Sequence, residues 1–183
     1  LTKNYQNMLL RLIKRIFVQI VGKRYIFILK MKLIDKLKKI NISIPEVNTT
    51  LGSYVPYKRI NNLIYISGQL PIVSGEISTG KVPISVSIED AKSAARVCII
   101  NTLPLIIEAT NNIDIENIQC INISGFVNSE ESFDNHPEVI NGASDLITDI
   151  FGSNGKHSRI AVGCNSLPKN ACVEISSIFF IDN

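Results

Sequence analysis

The chain has 183 residues, enough for one domain with a substantial hydrophobic core. Hydrophobic residues make up 45% and charged residues 19% of the sequence, which is ordinary for a globular protein. The net charge of +3 is unevenly spread, because residues 1–30 carry seven Lys or Arg and no acid. The remainder therefore has a net charge of −4. A mildly acidic main domain argues against a nucleic-acid-binding surface.

Residues 1–30 form a basic, apolar N-terminal extension. The run MLLRLIKRIFVQI, from Met8 to Ile20, lacks the roughly 18 uninterrupted apolar residues of a membrane span. Three interpretations stay open: a mitochondrial transit peptide, a helix lying on an anionic membrane, or a segment that is not part of the natural protein. We favour Met31 as the start, because a stretch typical of a folded domain begins there. Residues 31–183 are expected to form a single domain.

The first part of this domain is predicted to be a short helix followed by two strands. From Met31 the segment KLIDKLKKINISIP is typical of a short amphipathic helix that runs into extended chain. Residues 49–56 and 62–68 are predicted to pair as strands, with a turn over residues 58–62. Strand alternation places Leu63, Tyr65 and Ser67 on one face and Ile64 and Ile66 on the other.

A long helix is predicted to begin at Ser87. Asp90 follows three residues later, which resembles a capping box with Asp in place of Glu. Pro104 interrupts the helical pattern, and a proline inside an ideal helix costs about 3 kcal/mol. We therefore expect a kink, or a helix that ends near Thr102. A stripe of small and apolar residues predicts close packing on a sheet; it comprises Ala91, Ala94, Ala95, Cys98 and Leu105.

A central strand and a second helix follow. Residues 118–127 alternate as a strand with apolar side chains at Ile121, Ile123 and Phe126. Pro137 occupies a favoured first helical position, and Gly152 is suited to closing the helix. The apolar stripe between them comprises Val139, Ile140, Ala143, Leu146, Ile147 and Ile150.

The cysteine and histidine residues give no sign of a metal site. The four cysteines, Cys98, Cys120, Cys164 and Cys172, have no zinc-like spacing and form no CxxC pair. Buried free thiols in a reducing compartment are the expectation, which favours a cytoplasmic location. His136 and His157 are too isolated to bind a metal together. No metal or other cofactor is expected.

The segment HSRIAVGCNSLPKNACVEI, residues 157–175, is predicted to be two short strands joined by a turn at residues 167–170. Arg159 and Glu174 place charges inside otherwise apolar strands. Buried charges are costly unless they are paired. One interpretation is an ion pair at a sheet edge. The other is that Arg159 binds an anionic ligand, with the Glu174 carboxylate close enough to hold a water.

This segment resembles the C-terminal signature of the RidA/YjgF family of reactive-intermediate deaminases, also called endoribonuclease L-PSP-like proteins. That signature is an arginine, a run to Leu-Pro, and then Val-Glu-Ile or Ile-Glu-Ile. The resemblance extends over about residues 37–181. Further matches occur in the family's order; they begin at Tyr54 (YVP), Ile66 (ISGQLP), Gly80 (GK), Gly125 (GFV) and Val139 (VINGASDL).

The resemblance implies an α+β, chorismate-mutase-like fold, in which two helices pack on one face of a mixed β-sheet. The order of the predicted elements agrees with that fold. The apolar run at residues 178–181 is too long to leave in water, and closed symmetric association would cover it. Members of the family are homotrimers with ligand sites between subunits, so a homotrimer with intersubunit sites is expected.

The resemblance also implies a reaction. The family hydrolyses enamines and imines, such as 2-aminoacrylate, to a keto acid and ammonia. Arg159 would bind the substrate carboxylate through its planar fork. Glu174 would hold the attacking water and transfer a proton.

Four further residues match positions that line the family's pocket. Tyr54 would supply an aromatic wall and a hydroxyl, Ser67 a hydrogen-bond donor, and Asn141 a contact across the cleft. Ala161 stands two residues after the arginine, where the archetypal deaminases carry a cysteine. That position is thought to contribute its backbone carbonyl, which alanine retains, so the substitution bears on substrate range.

A second class of function stays open. The same cleft in a non-catalytic trimer would bind small carboxylate metabolites, or the trimer would act as a regulatory partner protein. Some relatives are described as translation inhibitors or endoribonucleases. The acidic domain and the lack of paired histidines make RNA cleavage the least expected activity. Neither a nucleic acid nor a membrane is expected as a partner of the main domain.

Overall fold

The computed structural model describes residues 30–48 and 50–182 of the chain. Residues 1–29 lie outside the described residues, so the interpretations of the N-terminal extension and the location of the protein stay predictions. From Met31 onward the residues form one compact unit.

A five-stranded mixed sheet is the centre of this unit. Its strand order is β1-β2-β7-β5-β6, and only β5 and β6 are parallel. β3 and β4 form a separate small hairpin. The elements are α1 (Leu33–Lys39), β1 (Tyr57–Ile60), β2 (Leu63–Gln69), β3 (Ile72–Val73), β4 (Glu76–Ile77), α2 (Ile88–Thr110), β5 (Ile118–Asn128), α3 (His136–Phe151), β6 (Ser158–Cys164) and β7 (Val173–Ile181). The predicted α+β class, the short first helix and the two long helices are confirmed.

The two long helices cover one face of the sheet and pack closely against it and against each other at glycines. Gly125 on β5 has no side chain, and Ile140 of α3 occupies the space that a Cβ would need. Gly142 of α3 lies against the backbone carbonyl of Lys92 on α2, so the two helices also pack tightly on each other. β7 contributes the alternating buried residues Val173, Ile175, Phe179 and Ile181 to this core.

The start of α2 agrees with the sequence prediction. The Ser87 hydroxyl accepts a hydrogen bond of 3.1 Å from the Asp90 backbone N–H, as an N-cap residue does. The second half of the box differs, because the same hydroxyl donates to the Asp90 carboxylate at 2.7 Å. The cap therefore satisfies one free N–H of the first turn.

α2 continues through Pro104 and ends at Thr110, so the expected end near Thr102 is wrong. Pro104 is itself buried, and so are Leu103, which precedes it, and Ile106, two residues further along. Tertiary packing of an apolar helix outweighs local propensity. α2 is long and apolar enough to cross a membrane by length and composition, but 67% of that stretch is buried inside the protein. The core accounts for its hydrophobicity.

The first hairpin also differs from the sequence prediction. β1 begins at Tyr57 and pairs Ile60 with Leu63, so the turn is the dipeptide Asn61-Asn62. The strand predicted over residues 49–56 and the turn over residues 58–62 are both wrong. Asn61 has a φ of 54°, a left-handed conformation that asparagine tolerates well. Lys58 and Arg59, which fall inside the predicted turn, lie on an exposed edge strand, where charges are common.

The opposite face of the sheet carries apolar side chains that this chain leaves uncovered. Alternation along β7 turns Ile178 and Phe180 towards it, and both are only partly buried. Ile160 on β6 is 54% exposed, and Tyr65 on β2 is 43% exposed. The run at residues 178–181 is thus divided between the two faces, and half of it belongs to the helix-covered core.

Candidate functional site

One of the two expected catalytic residues, Glu174, lies in a cavity of about 570 Å³ on the face of the sheet without helices. The cavity is bounded by β2, by the start of β7 and by the loop that precedes β1. Tyr54 and Ser67, both expected as substrate-binding residues, line it together with Glu174. Its other lining residues are mainly apolar, among them Leu51, Pro56, Leu70, Ile72 and Pro168.

The Glu174 carboxylate is placed by a glycine on the neighbouring strand. The pairing of β2 with β7 shifts register between Ile66 and Gln69, and Gly68 lies within that irregularity. A Cβ at Gly68 would overlap Oε1 of Glu174, so the carboxylate rests directly on the glycine backbone. Glu174 is half-buried there, and desolvation raises the pKa of its carboxyl above the ordinary value.

Tyr54 and Ser67 both line the cavity, and the Ser67 side chain also forms a hydrogen bond to the backbone there. The Tyr54 side chain is 49% exposed and forms part of the wall. The Ser67 hydroxyl donates a 2.7 Å hydrogen bond to the Val55 carbonyl. Its hydrogen is therefore used within the protein, and in this conformation the oxygen is left as an acceptor.

Arg159 lies in a different environment, between β6 and α3. It pairs in register with Ile123, which is fully buried, so its side chain is on the helix-covered face. Nη1 donates to Asn141 Oδ1 at 2.9 Å and to Ser144 Oγ at 3.0 Å. Within one chain Arg159 thus contacts Ser144 and Asn141, and Asn141 is the residue that was expected to contact the ligand across the cleft.

Arg159 and Glu174 are not brought together within one chain. β5 lies between their strands, and Glu174 pairs with Phe126, three residues along β5 from Ile123. Successive residues of a strand point to opposite faces. The two charges therefore lie on opposite faces of the sheet, and Arg159 forms no ion pair with a carboxylate among the described residues. The ion-pair interpretation does not hold for a single chain.

Ala161 follows Arg159 along β6, which is an edge strand. The Cys164 carbonyl points towards β5, since Ser129 N–H donates to it at 3.2 Å. Carbonyls alternate in direction along a strand, so that of Ala161, three residues away, points to the unpaired edge. Its small side chain packs partly buried against the core. The carbonyl is thus available to a ligand or to another chain.

The cysteines agree with the expectation of free thiols. Cys98, Cys120 and Cys172 are buried, and Cys164 is partly buried. Burial raises the pKa of the Cys120 thiol to about 12 and that of Cys172 to about 11. Such thiols stay protonated near neutral pH and are poor nucleophiles. In residues 30–48 and 50–182, no group of His, Cys, Asp and Glu is arranged to hold a metal ion.

Gly68, Ser144 and His157 lie within the motifs that match the family, but the sequence alone assigns them no role. Gly68 is the middle residue of SGQ, where a glycine inside a strand is the available signal of a close approach. Ser144 and His157 gave no such signal. Their contacts depend on how α3 lies over β6, which no local pattern predicts.

We expect Gly68→Ala to destabilise the protein by about 1–3 kcal/mol, the usual cost of overpacking. The new methyl group would collide with the Glu174 carboxylate. Chemical denaturation of Gly68→Ala, of Glu174→Ala and of the double variant tests this contact as a cycle. If the contact is the cause, Gly68→Ala should cost little in the Glu174→Ala background. An equal cost in both backgrounds would assign the effect to the backbone instead.

Comparison with known proteins places these features in a family. The family model described as "YjgF/chorismate_mutase-like, putative endoribonuclease" matches residues 35–180. Protein TCP17 of Trypanosoma cruzi is 33% identical over 150 residues, which are 80% of this chain and 92% of that protein.

Two crystal structures agree in fold. That of the protein Atu1372 from Agrobacterium tumefaciens is 40% identical, with a TM-score of 0.75 over 82% of this chain and 92% of that chain. One from Shewanella oneidensis MR-1 is 26% identical, with a TM-score of 0.77 over 82% of this chain and 100% of that chain. The motifs, the mixed sheet and these matches agree, and the chain belongs to the RidA/YjgF family with its chorismate-mutase-like fold.

Proposed function

We propose that the protein is an enamine/imine deaminase, which hydrolyses 2-imino and 2-enamino acids such as 2-aminoacrylate to a keto acid and ammonia. The observation that carries the proposal is that, in the part of the chain that the structure describes, a free guanidinium edge and a carboxylate of raised pKa lie in two separate places. Arg159 has donors to spare and no carboxylate partner in the described chain, while Glu174 is a carboxylate with a raised pKa in a separate cavity. The first group suits a substrate carboxylate, and the second suits proton transfer.

The reaction needs few groups. A 2-enamino acid first becomes the imine, when one N–H proton moves to its methylene carbon. Water then adds to the C=N carbon and one of its protons passes to nitrogen. The resulting carbinolamine loses ammonia as its hydroxyl proton also passes to nitrogen, which leaves the keto acid. Arg159 would hold the substrate carboxylate, since a guanidinium binds carboxylate with two parallel hydrogen bonds. Glu174 would take a proton from the attacking water and return it to the leaving nitrogen. Its raised pKa brings the carboxyl closer to neutral pH, where it can both accept and donate.

We further propose that the site forms between copies of the chain in a homotrimer. Within one chain the two groups lie on opposite faces of the sheet, so one substrate cannot contact both. The uncovered face carries exposed apolar side chains at Ile160, Val162 and Tyr65. Their burial by a neighbouring copy would favour association. A head-to-tail ring would then bring the Arg159 side of one copy to the Glu174 cavity of the next.

Mixed trimers give a direct test of a shared site. Arg159→Ala and Glu174→Gln should each retain about a hundredth of wild-type turnover or less, because each lacks one group in every site. After unfolding and refolding together in equal amounts, about a quarter of wild-type turnover should return, since each mixed ring regains one intact site of three.

The measurement couples the mixture to a dehydratase that releases 2-aminoacrylate or 2-iminobutyrate. Refolding each variant by itself is the control, and light scattering gives the oligomeric state. No recovery in refolded mixtures in which differently tagged variants co-purify as trimers would contradict the shared site. A monomer at micromolar concentration would contradict the shared site altogether.

The deaminase is distinguished from a binding protein by Glu174. In a non-catalytic trimer, Glu174→Gln would leave binding of a small carboxylate unchanged, and the wild type would not increase imine hydrolysis above the uncatalysed rate.

A further inference from the structure

Arg159 is held by a chain of hydrogen bonds that begins at a backbone carbonyl. His157 Nδ1 lies 2.6 Å from the Gly155 carbonyl oxygen, and His157 Nε2 lies 3.0 Å from Ser144 Oγ. Ser144 Oγ is in turn 3.0 Å from Arg159 Nη1. These residues are all partly or fully buried, and they connect the loop before β6, helix α3 and strand β6.

The direction of each hydrogen bond follows from its chemistry. A carbonyl oxygen only accepts, so His157 Nδ1 carries the hydrogen. In the neutral imidazole Nε2 then has a lone pair, which accepts the hydroxyl hydrogen of Ser144. The Ser144 oxygen is thereby oriented to accept from Arg159 Nη1. The bonding of His157 thus decides which way the serine faces.

Gly155 is needed to begin this chain. A Cβ there would come within 2.6 Å of the Ile147 carbonyl oxygen, which is backbone of α3 and cannot move aside easily. The missing side chain lets the loop approach the helix and places the Gly155 carbonyl against His157. The sequence GKH before β6 therefore has a structural role.

Ser144 accepts one hydrogen bond from Arg159 Nη1, and Asn141 accepts a second. Its Oδ1 accepts from Arg159 at 2.9 Å, and its Nδ2 donates to Glu138 Oε2 at 3.0 Å. Glu138 is held by an ion pair with Lys92 of α2. Nη1 has two hydrogens, and both are now used within the protein.

The donors left to Arg159 are Nε–H and the two hydrogens on Nη2. Nε–H and one of the Nη2 hydrogens lie parallel along the side of the guanidinium, a fork that matches the two oxygens of a carboxylate. The other possible fork, at the tip of the guanidinium, consists of one Nη1 hydrogen and one Nη2 hydrogen, and the Nη1 hydrogens are already used. A carboxylate is therefore limited to the side edge if it is to form two hydrogen bonds.

We propose that Ser144 and His157 are positioning residues, which with Asn141 saturate Nη1 and present the Nε–Nη2 edge of Arg159 to the substrate carboxylate. This inference rests on the proposed function for the identity of the ligand. An arginine that is already fixed loses less side-chain freedom when it binds, so preorganisation raises affinity. The two residues act through Arg159 and contact no reacting atom.

The test compares three variants on the same helix. Ser144→Ala removes the hydroxyl and Ser144→Thr restores one. Thr148→Ala is the matched control, because its hydroxyl lies one turn further along and bonds only to the Ser144 backbone carbonyl at 3.0 Å. Calorimetric titration with 2-oxobutanoate, the keto acid that hydrolysis of 2-iminobutyrate yields, gives the Kd for a small carboxylate. The dehydratase-coupled assay gives KM and kcat for imine hydrolysis.

Ser144→Ala should raise the Kd for 2-oxobutanoate and the KM about tenfold, the scale that corresponds to the net contribution of one hydrogen bond. kcat should change much less, since the hydrogen bonds to the carboxylate exist before and during the reaction. Ser144→Thr should regain most of the affinity, and Thr148→Ala should equal the wild type. An unchanged Kd in Ser144→Ala would overturn the proposal, and so would a wild type that binds no 2-oxobutanoate.

Imidazole ¹⁵N spectra supply a readout that does not depend on turnover. The chain has two histidines, and His157→Gln assigns their signals. Wild-type His157 should be protonated on Nδ1, and a proton on Nε2 in the neutral form would overturn the inferred network. Absence of imine hydrolysis with intact 2-oxobutanoate binding would refute the deaminase proposal, while weaker binding in Ser144→Ala would still support the positioning role.

Discussion

Arg159→Ala should reduce imine hydrolysis at least about a hundredfold while the protein stays folded. Hydrogen bonds to charged groups contribute about 1.5–3 kcal/mol each, and the variant loses a fork of two. The fold should tolerate the change because Arg159 forms no ion pair with Glu174, so its removal leaves no buried partner charge. Coupled-assay rates and melting curves measured on the same preparation test both parts.

Arg159→Lys separates charge from geometry. Lysine keeps the positive charge but has no planar fork, and it cannot bond Asn141 and Ser144 through one nitrogen while offering a parallel pair to a ligand. Its activity should therefore fall clearly, though less than that of the alanine variant. If Arg159→Ala unfolds the protein, the arginine is a structural residue. If the alanine variant stays folded with undiminished activity, Arg159 has no part in the site.

Glu174→Gln should lower turnover by about 10²–10⁴, the usual contribution of a general acid–base group. The same variant should raise the melting temperature at neutral pH. Burial raises the pKa of Glu174, which means that the folded protein disfavours the ionised carboxylate. A neutral amide of the same shape removes that cost.

The sign of the pH dependence follows from linkage. The folded state binds the Glu174 proton more tightly than the unfolded state, so ionisation costs stability above the folded-state pKa. That cost disappears as the pH falls through the raised pKa towards the ordinary carboxyl value. The stabilisation by Glu174→Gln should thus be greatest at neutral pH and vanish in acid, and wild-type turnover should fall over the same range as the base becomes protonated.

Glu138→Gln is a control of opposite sign. The ion pair with Lys92 lowers the pKa of Glu138, so its ionised form favours the folded state. Glu138→Gln should slightly lower the melting temperature at neutral pH, with the loss fading in acid. The effect is small because the pair is solvent-exposed. A Glu174→Gln stabilisation that is the same at every pH would show that desolvation of the carboxylate is not its cause.

The local pattern of the sequence was enough to place most elements. The apolar stripe on α3, the Ser87 cap of α2 and the alternation along β2 each depend on residues within a few positions of one another. The first hairpin was missed because its two-residue turn relies on Asn61 in a left-handed conformation, and because the exposed edge strand β1 lacks the apolar alternation by which a half-buried strand is predicted. The end of α2 was missed because burial of Leu103 and Ile106 outweighs the proline between them.

For the candidate site, what the sequence predicts and what only the structure shows are more clearly separate. The sequence by itself determined the family, since its motifs occur in order, and it named Arg159 and Glu174 as charges that apolar strands do not tolerate without a purpose. Only the tertiary structure decided that β5 lies between their strands and that the two side chains point to opposite faces. Strand order and helix placement depend on contacts between distant residues, which local patterns do not record. For the same reason, the sequence did not predict that Ser144 and His157 hold Arg159. Their hydrogen bonds form only where α3 lies against β6.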